Sequence, residues 1–330
     1  MSGINQNNSF AMTRETLISV EQISRDYGDY RAVDNVSFTV ERGDVLGFLG
    51  PNGAGKTTTM QIISGVLTAT AGTVSIAGFD ILDFPRQAKA HLGFLPEVPP
   101  LYTDLSVDEY LAFAARLRGI TRSRVAAAVE HSKQRCGLNG TGRRLIGNLS
   151  RGFQQRVSIA QAIIHTPAVI ILDEPTGGLD PIQIHEIRQL IRQLGEEHAI
   201  LLSTHILPEV QTVCNRVIII HEGRLVLDKH LDRLHEDSGK NTVRAAFRRP
   251  PSPETLHAIA GVNTVDRIGE QTFLIDLDPE SEALDVILQR TVNSCWGLYE
   301  LIPHTDSLEE TFLRLTLGEE DRVNAPGDVA

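Results

Sequence analysis

Gly50-Pro51-Asn52-Gly53-Ala54-Gly55-Lys56-Thr57, followed by Thr58, has the composition and spacing of a loop that holds phosphate. Glycines let successive backbone N–H groups close around phosphate oxygens, and the N-terminus of a following helix adds partial positive charge. Lys56 would reach the β- and γ-phosphates, and the Thr57 hydroxyl would bind Mg²⁺. A second pair of chemical groups lies downstream. Four apolar residues, Val169 to Leu172, end in Asp173 and Glu174. Two adjacent acids at a strand end point in different directions and can divide two tasks. Asp173 sits where a carboxylate holds Mg²⁺, and Glu174 where one polarises an attacking water.

These groups need elements to hold them. Val45 to Leu49 reads as a buried strand ahead of the phosphate loop, and Thr58 to Ile63 as the helix behind it. Ala168–Leu172, Ala199–Ser203 and Val217–Ile220 read as further buried strands. Leu17–Val20, Val36–Val40 and Thr73–Ile76 read as strands at the edge of the fold. Glu222-Gly223 turns the chain into Arg224–Leu227 as a hairpin. Between about 87 and 166 strand signals give way to helices. Ser106 to Glu109 is a capping box opening the first, Arg122–Cys136 carries the second, and a third starts near Ser150, an N-cap residue whose first turn Gly152 keeps open. From Thr242 the order strand, helix, strand, strand, helix, strand matches a ferredoxin-like module. Ser307 to Glu310 is another capping box, opening a closing helix that ends near Leu317.

Phosphate loop, helical insertion, Leu149-Ser150-Arg151-Gly152-Phe153-Gln154 and Leu172-Asp173-Glu174-Pro175, in this order, resemble the ATP-binding cassette (ABC) ATPases over about residues 16 to 235. The resemblance implies an α/β P-loop NTPase cassette with an all-helical insertion and a β-rich edge subdomain. It implies ATP and Mg²⁺ as ligands and ATP hydrolysis as activity. In that family the signature segment of one subunit closes over ATP held by another. Ser150, Gly152 and Gln154 would therefore act in trans, and catalysis would need a second copy placed head to tail. Tyr27 resembles the aromatic that stacks on adenine, Asp180 the acid of the loop crossing the dimer interface, and His205 the switch histidine at the γ-phosphate. Glu97 stands where the family commonly has Gln. It could still approach Mg²⁺, but an ionised carboxylate cannot donate a hydrogen bond.

A closer resemblance is to ATPase subunits of the ABC type-2 exporter group, related to gliding-motility and copper-enzyme maturation transporters. It rests on Leu95-Pro96-Glu97 followed by Pro100-Leu101-Tyr102, the Leu149-Ser150-x-Gly152-aromatic signature, and Ser307 to Phe312. It implies a separate integral-membrane permease whose coupling helix meets the region from Glu97 to Tyr102. The expected organisation is a disordered tail over 1–15, the ATPase domain over 16–236, a small α+β accessory domain over 237–317 and a disordered tail over 318–330.

Bulk properties agree with this reading. The 330-residue chain carries a net charge of −11, so nucleic acid is not an expected partner. Its three cysteines form neither a disulfide framework nor a zinc pattern, as in a reducing cytoplasm. No apolar run approaches the ~18 residues of a membrane span, and the polar first eleven residues do not read as a secretory signal. The implied location is cytoplasmic, peripheral on the inner face of the cell membrane. A GTPase would need an Asn-Lys-x-Asp motif, which is absent. A soluble or regulatory cassette ATPase without a transport role is the alternative.

Overall fold

The computed structural model describes residues 15–233, 241–279, 281–303 and 308–316. The chain forms two compact units that divide after Leu231, ahead of the 236/237 boundary expected from sequence. The last strand of the first unit ends at His230 and a single 3-10 turn, Leu231–Arg233, follows. The shift in composition near Asp237 therefore lags the structural end. The expected tails, apart from Glu15, lie outside the described residues, as does Ser307.

The first unit opens with β1 (Thr16–Tyr27), β2 (Tyr30–Glu41), β3 (Val45–Leu49), α1 (Lys56–Ile63), β4 (Ala71–Ile76) and β5 (Phe79–Asp80). It continues through α2 (Pro85–Ala90), β6 (Leu92–Leu95), α3 (Val107–Leu117), α4 (Arg122–Arg135) and α5 (Arg151–Ile163). β7 (Val169–Asp173), α6 (Pro181–Gly195), β8 (Ala199–Thr204), α7 (Leu207–Val213), β9 (Arg216–His221) and β10 (Arg224–His230) complete it. β2, β1, β4 and β5 form an antiparallel sheet in that order. The central sheet runs β10-β9-β3-β8-β7-β6, parallel except for β10.

Alternate residues of the central strands feed two separate cores, which is why these strands are apolar throughout. Ile170, Leu172, Ile200 and Leu202 pack with the helical insertion and α6. Val169, Ile171, Ala199 and Leu201 pack with α1 and the antiparallel sheet. Each such fully buried Val, Leu or Ile side chain contributes about 2 kcal/mol of transfer free energy. The sheet is thus a rigid plate, and its carboxyl edge is where loops can carry chemistry.

The insertion requires one correction. The span 87–166 is not wholly helical, because it contains β6, paired in parallel with β7. Its insertion helices begin at Val107. α3 has the complete capping box of Ser106 and Glu109, including Ser106 N to Glu109 Oε2 at 2.8 Å.

The second unit carries β11 (Asn241–Phe247), α8 (Pro253–His257), β12 (Val262–Arg267), β13 (Thr272–Leu277), α9 (Ala283–Asn293), β14 (Leu298–Pro303) and α10 (Leu308–Thr316). Its antiparallel sheet has the order β12-β13-β11-β14. Phe247, Phe273 and Ile287 lie in its core, with Phe247 edge-on to Trp296 at 6.0 Å. Among the described residues no helix is long and apolar enough to cross a membrane.

Beneath the central sheet, His165 donates from Nε2 to the Leu92 carbonyl at 3.2 Å, and its buried Nδ1 has no partner among the described residues. Burial, aided by the Arg118 guanidinium, pushes this imidazole down to about 4. The fold thus favours the neutral ring, and its stabilising effect is fully present above the unfolded value near 6.5. It is lost as pH falls from there toward 4, where the folded ring also protonates. Stability should fall by about 2 kcal/mol between pH 7 and pH 5, at 1.4 kcal/mol per unit of separation. Denaturant titrations of the wild type and His165→Gln should differ in this slope.

Candidate functional site

Every chemical group predicted from sequence for the phosphate side of the site sits at or just beyond the carboxyl end of a central strand. β3 delivers the phosphate loop, β7 delivers Asp173 and Glu174, β8 delivers Thr204 and then His205, and Glu97 follows two residues after β6. Four strands thereby aim at one place.

The loop's shape depends on glycine at two points. Gly55 caps α1 with φ of 103°, and a Cβ there would stand 2.5 Å from the Ala32 carbonyl. A Cβ on Gly50 would meet the Ile220 carbonyl at 2.5 Å. Both neighbours are backbone and cannot swing aside. α1 begins at Lys56 with no acid in its first turn, so its N-terminal N–H groups face the loop with their partial charge uncancelled.

A cleft of about 450 Å³ is lined by Tyr27, Tyr30, Asn52, Gly53, Gly55, Lys56, Thr57, Thr58, Glu97 and Glu174. Lys56 is buried and donates from Nζ to the carbonyls of Gly50 at 2.8 Å and Pro51 at 3.1 Å. Burial lowers its basicity, while Glu174, Asp173 and Glu97 oppose that effect. The Asp173 carboxyl is raised, first by burial and then by Glu97 and Glu174. Hydrogen bonds from Ser203 and Thr57 oppose that rise. Three carboxylates thus act on a single lysine, and the Thr57 hydroxyl stands beside the Asp173 carboxylate. This hard-oxygen donor set fits Mg²⁺.

Glu174 has φ of 49°, uncommon for a residue with a side chain. Its N–H donates to Ser203 O at 3.1 Å, which ties the turn after β7 to β8. Its carboxylate lies 2.8 Å from His205 Nδ1 and 3.9 Å from Lys56 Nζ. Tyr27 and Tyr30 are exposed cross-strand partners at the β1–β2 turn. The Arg25 guanidinium covers one face of the Tyr27 ring at 4.8 Å, and the residue remains 46% exposed.

The signature residues lie elsewhere. Ser150 caps α5, accepting from Phe153 N at a long 3.5 Å. Ser150, Gly152, Phe153, Asp180 and Gln183 line a second cavity of about 260 Å³. Arg151 reaches the Gly178 carbonyl at 3.3 Å, and Asp180 caps α6 by accepting from Gln183 N at 2.9 Å. Gln154 is turned away, donating to Ile146 O at 3.1 Å. The two cavities share no lining residue.

Sequence reasoning missed three residues here. Tyr30 is a second aromatic in a turn where one was expected. Ser203 lies within an apolar strand, and its contact with Asp173 depends on strand pairing. Glu209 resembles any acid in the first turn of a helix, yet it is buried.

The sequence model of the ABC transporter family matches residues 33–177. The bacitracin transport ATP-binding protein BcrA of Bacillus licheniformis is 37% identical over 316 residues, 92% of this chain and 98% of that protein. The Nod factor export ATP-binding protein I of Burkholderia lata is 32% identical over 302 residues, covering 91% and 96%. A solved ATP-binding subunit of an ABC transporter superposes with a TM-score of 0.61 at 32% identity, covering 68% of this chain and 94% of that one. The phosphate loop, the paired acids beyond β7, the capped helix at Ser150 and relatives matched over nearly their whole length agree: the chain belongs to the ABC transporter family, as an ATP-binding, ATP-hydrolysing subunit.

Proposed function

We propose that two copies of this protein, head to tail, close on two ATP molecules and so drive a separate integral-membrane permease. The observation that supports this most is the separation of the two cavities. Lys56, Thr57 and Glu174 face one, Ser150 and Gly152 face the other, and neither holds a full set of phosphate ligands. A two-fold pairing that brings the Ser150 cavity of each copy over the cleft of the other completes both sites at once.

In this reading the triphosphate lies along residues 50 to 58. Their N–H groups and the α1 terminus bind it, and Lys56 leaves its carbonyl partners for the β- and γ-phosphates. Thr57 and Asp173 would hold Mg²⁺, with the Glu97 carboxylate available as a further oxygen donor. The ion, when bound, neutralises phosphate charge. Glu174 accepts a proton from the attacking water, and His205 orients that carboxylate and donates toward the γ-phosphate. Ser150 and the α5 terminus cover the γ-phosphate from the second copy, with Asp180 at the crossing loop. Gln154, whose side chain donates to Ile146 O, would leave that carbonyl to join them.

Tyr27 stacks on the adenine with the ring face opposite Arg25. Tyr27→Ala should raise KM for ATP about tenfold, since one base–aromatic stack is worth roughly 1–3 kcal/mol, while kcat stays within about twofold. Steady-state ATPase assays separate the two constants.

The permease meets the surface around Val98, Tyr102 and Phe113, all exposed, where the Tyr102 ring packs on Tyr110 at 6.0 Å and Phe113 at 5.7 Å. The protein is then cytoplasmic and peripheral on the inner membrane face. The transport and export roles in the names of BcrA and the Nod factor protein favour a type-2 exporter. The elements β11 to β14, with their two helices, form a ferredoxin-like accessory module that steadies the pair. Affinity purification from native membranes should recover an integral-membrane permease. Recovery with ribosomes or in the soluble fraction alone would instead support a cassette ATPase without a transport role.

A further inference from the structure

Glu209 is 1% exposed, although it lies in the first turn of α7, where an acid ordinarily faces water. An ionised carboxylate is buried only where its oxygens are satisfied. Oε1 accepts from the Thr176 hydroxyl and stands 3.5 Å from Arg188 Nη2. Oε2 accepts from the Thr204 hydroxyl at 2.7 Å, and that hydroxyl in turn accepts from Ile206 N at 3.0 Å. Thr176 and Thr204 are themselves buried, at 4% and 0% exposure.

The partners belong to three segments: the loop after β7, the end of β8, and α6. Thr176 lies two residues after Glu174 and four before Asp180. Thr204 immediately precedes His205. Arg188 is on α6, the helix that Asp180 caps. None of the three lines the ATP cleft, but each adjoins a residue that lines it, pairs with one that does, or lies at the Ser150 cavity. The Glu174–His205 contact at 2.8 Å joins a half-exposed imidazole to a largely buried carboxylate, while Glu209 joins the same two segments through buried threonine hydroxyls.

We propose that Glu209 is a positioning residue for hydrolysis: it clamps the loop carrying Glu174 and Asp180 to the strand end carrying His205, so that the three groups meet the γ-phosphate as one unit. The inference rests on the roles given above to Glu174, Asp180 and His205. It adds the mechanical link through which closure at Asp180 sets the geometry of the water-activating pair. Such a link acts on the chemical step and leaves nucleotide capture by the phosphate loop alone.

The test is steady-state ATPase kinetics and thermal unfolding of the full chain. Glu209→Gln keeps the side chain's volume, but its amide nitrogen cannot accept from a hydroxyl. We expect kcat to fall about tenfold or more, because misplacement of catalytic groups by about 1 Å can cost up to a hundredfold. KM should stay within about twofold, as the phosphate loop is untouched. Thr176→Val and Thr204→Val should each lower kcat, and the double variant should lose little more than the worse single one, since one clamp cannot be opened twice. Wild-type kcat in folded Glu209→Gln would overturn the proposal. So would threonine effects that simply multiply, or a rise in KM matching the loss in kcat. Should Glu209→Gln fail to fold, the threonine variants decide alone. Glu174→Gln and His205→Ala serve as controls. If both keep turnover, the underlying roles fail and the clamp with them; if both lose it and Glu209→Gln does not, only the clamp fails.

Discussion

Glu174→Gln should lower kcat for ATP hydrolysis by about a hundredfold or more, the usual scale for loss of a positioned general base. ATP affinity should stay within about twofold. The substitution is informative because so little else changes. Gln has the same length, can keep the 2.8 Å contact with His205 Nδ1, and inherits a backbone already held by Ser203 O at φ of 49°. Only the basicity and the charge are lost. Lys56, 3.9 Å away, would then face Asp173 and Glu97 without its nearest carboxylate, which favours capture of the polyanionic triphosphate. Binding without cleavage should trap the closed state. Gel filtration in ATP should show a dimer that wild type forms only transiently. Wild-type turnover in this variant would remove Glu174 from the chemistry.

That such an experiment can be designed at all reflects how unevenly the sequence reports the site. The phosphate loop was legible because its requirements are backbone requirements: Gly50 and Gly55 are the only residue type that fits beside the Ile220 and Ala32 carbonyls. β7, β8 and β9 were legible because strands covered on both faces must be apolar at every position. β6 disappeared into the expected insertion because Leu92 to Leu95, with Gly93 inside it, is too short to carry a period. β1 and β2 read as short strands because bulges between Thr16 and Asp26 break their alternation. Ser203 and Glu209 were illegible for a different reason. Their importance lies in partners 30 and 33 residues away, and a single polar residue carries no mark of what it will touch. Backbone chemistry and burial are written locally; polar pairing across elements is not.

Lys56→Ala and Ser150→Arg should each reduce ATPase activity by about a hundredfold, the scale for removing a charge-stabilising group or blocking its approach. Mixed in equal amounts, the two inactive proteins should recover up to about a quarter of wild-type activity, because a two-fold pair of exchangeable copies makes half the dimers mixed and gives each mixed dimer one intact site. That site takes its phosphate loop from the Ser150→Arg copy and its signature from the Lys56→Ala copy; the other site carries both lesions. The prediction depends on geometry alone. Lys56 and Ser150 line different cavities of one protomer, so no rearrangement within a chain restores both. Neither change threatens the fold by packing. Ser150 is exposed, and its long 3.5 Å cap bond is worth at most about 1 kcal/mol. Lys56 is buried, but its hydrogen bonds go to two carbonyls of its own loop, and its 3.9 Å ion pair with Glu174 lies at the open cleft. Each variant should therefore show wild-type melting before mixing. Recovery would require that one copy's α5 terminus reaches the other's phosphate loop. If the mixture stays as inactive as its parts while size exclusion confirms exchange of subunits, ATP is not shared between copies. Ser150 would then cap a helix and nothing more.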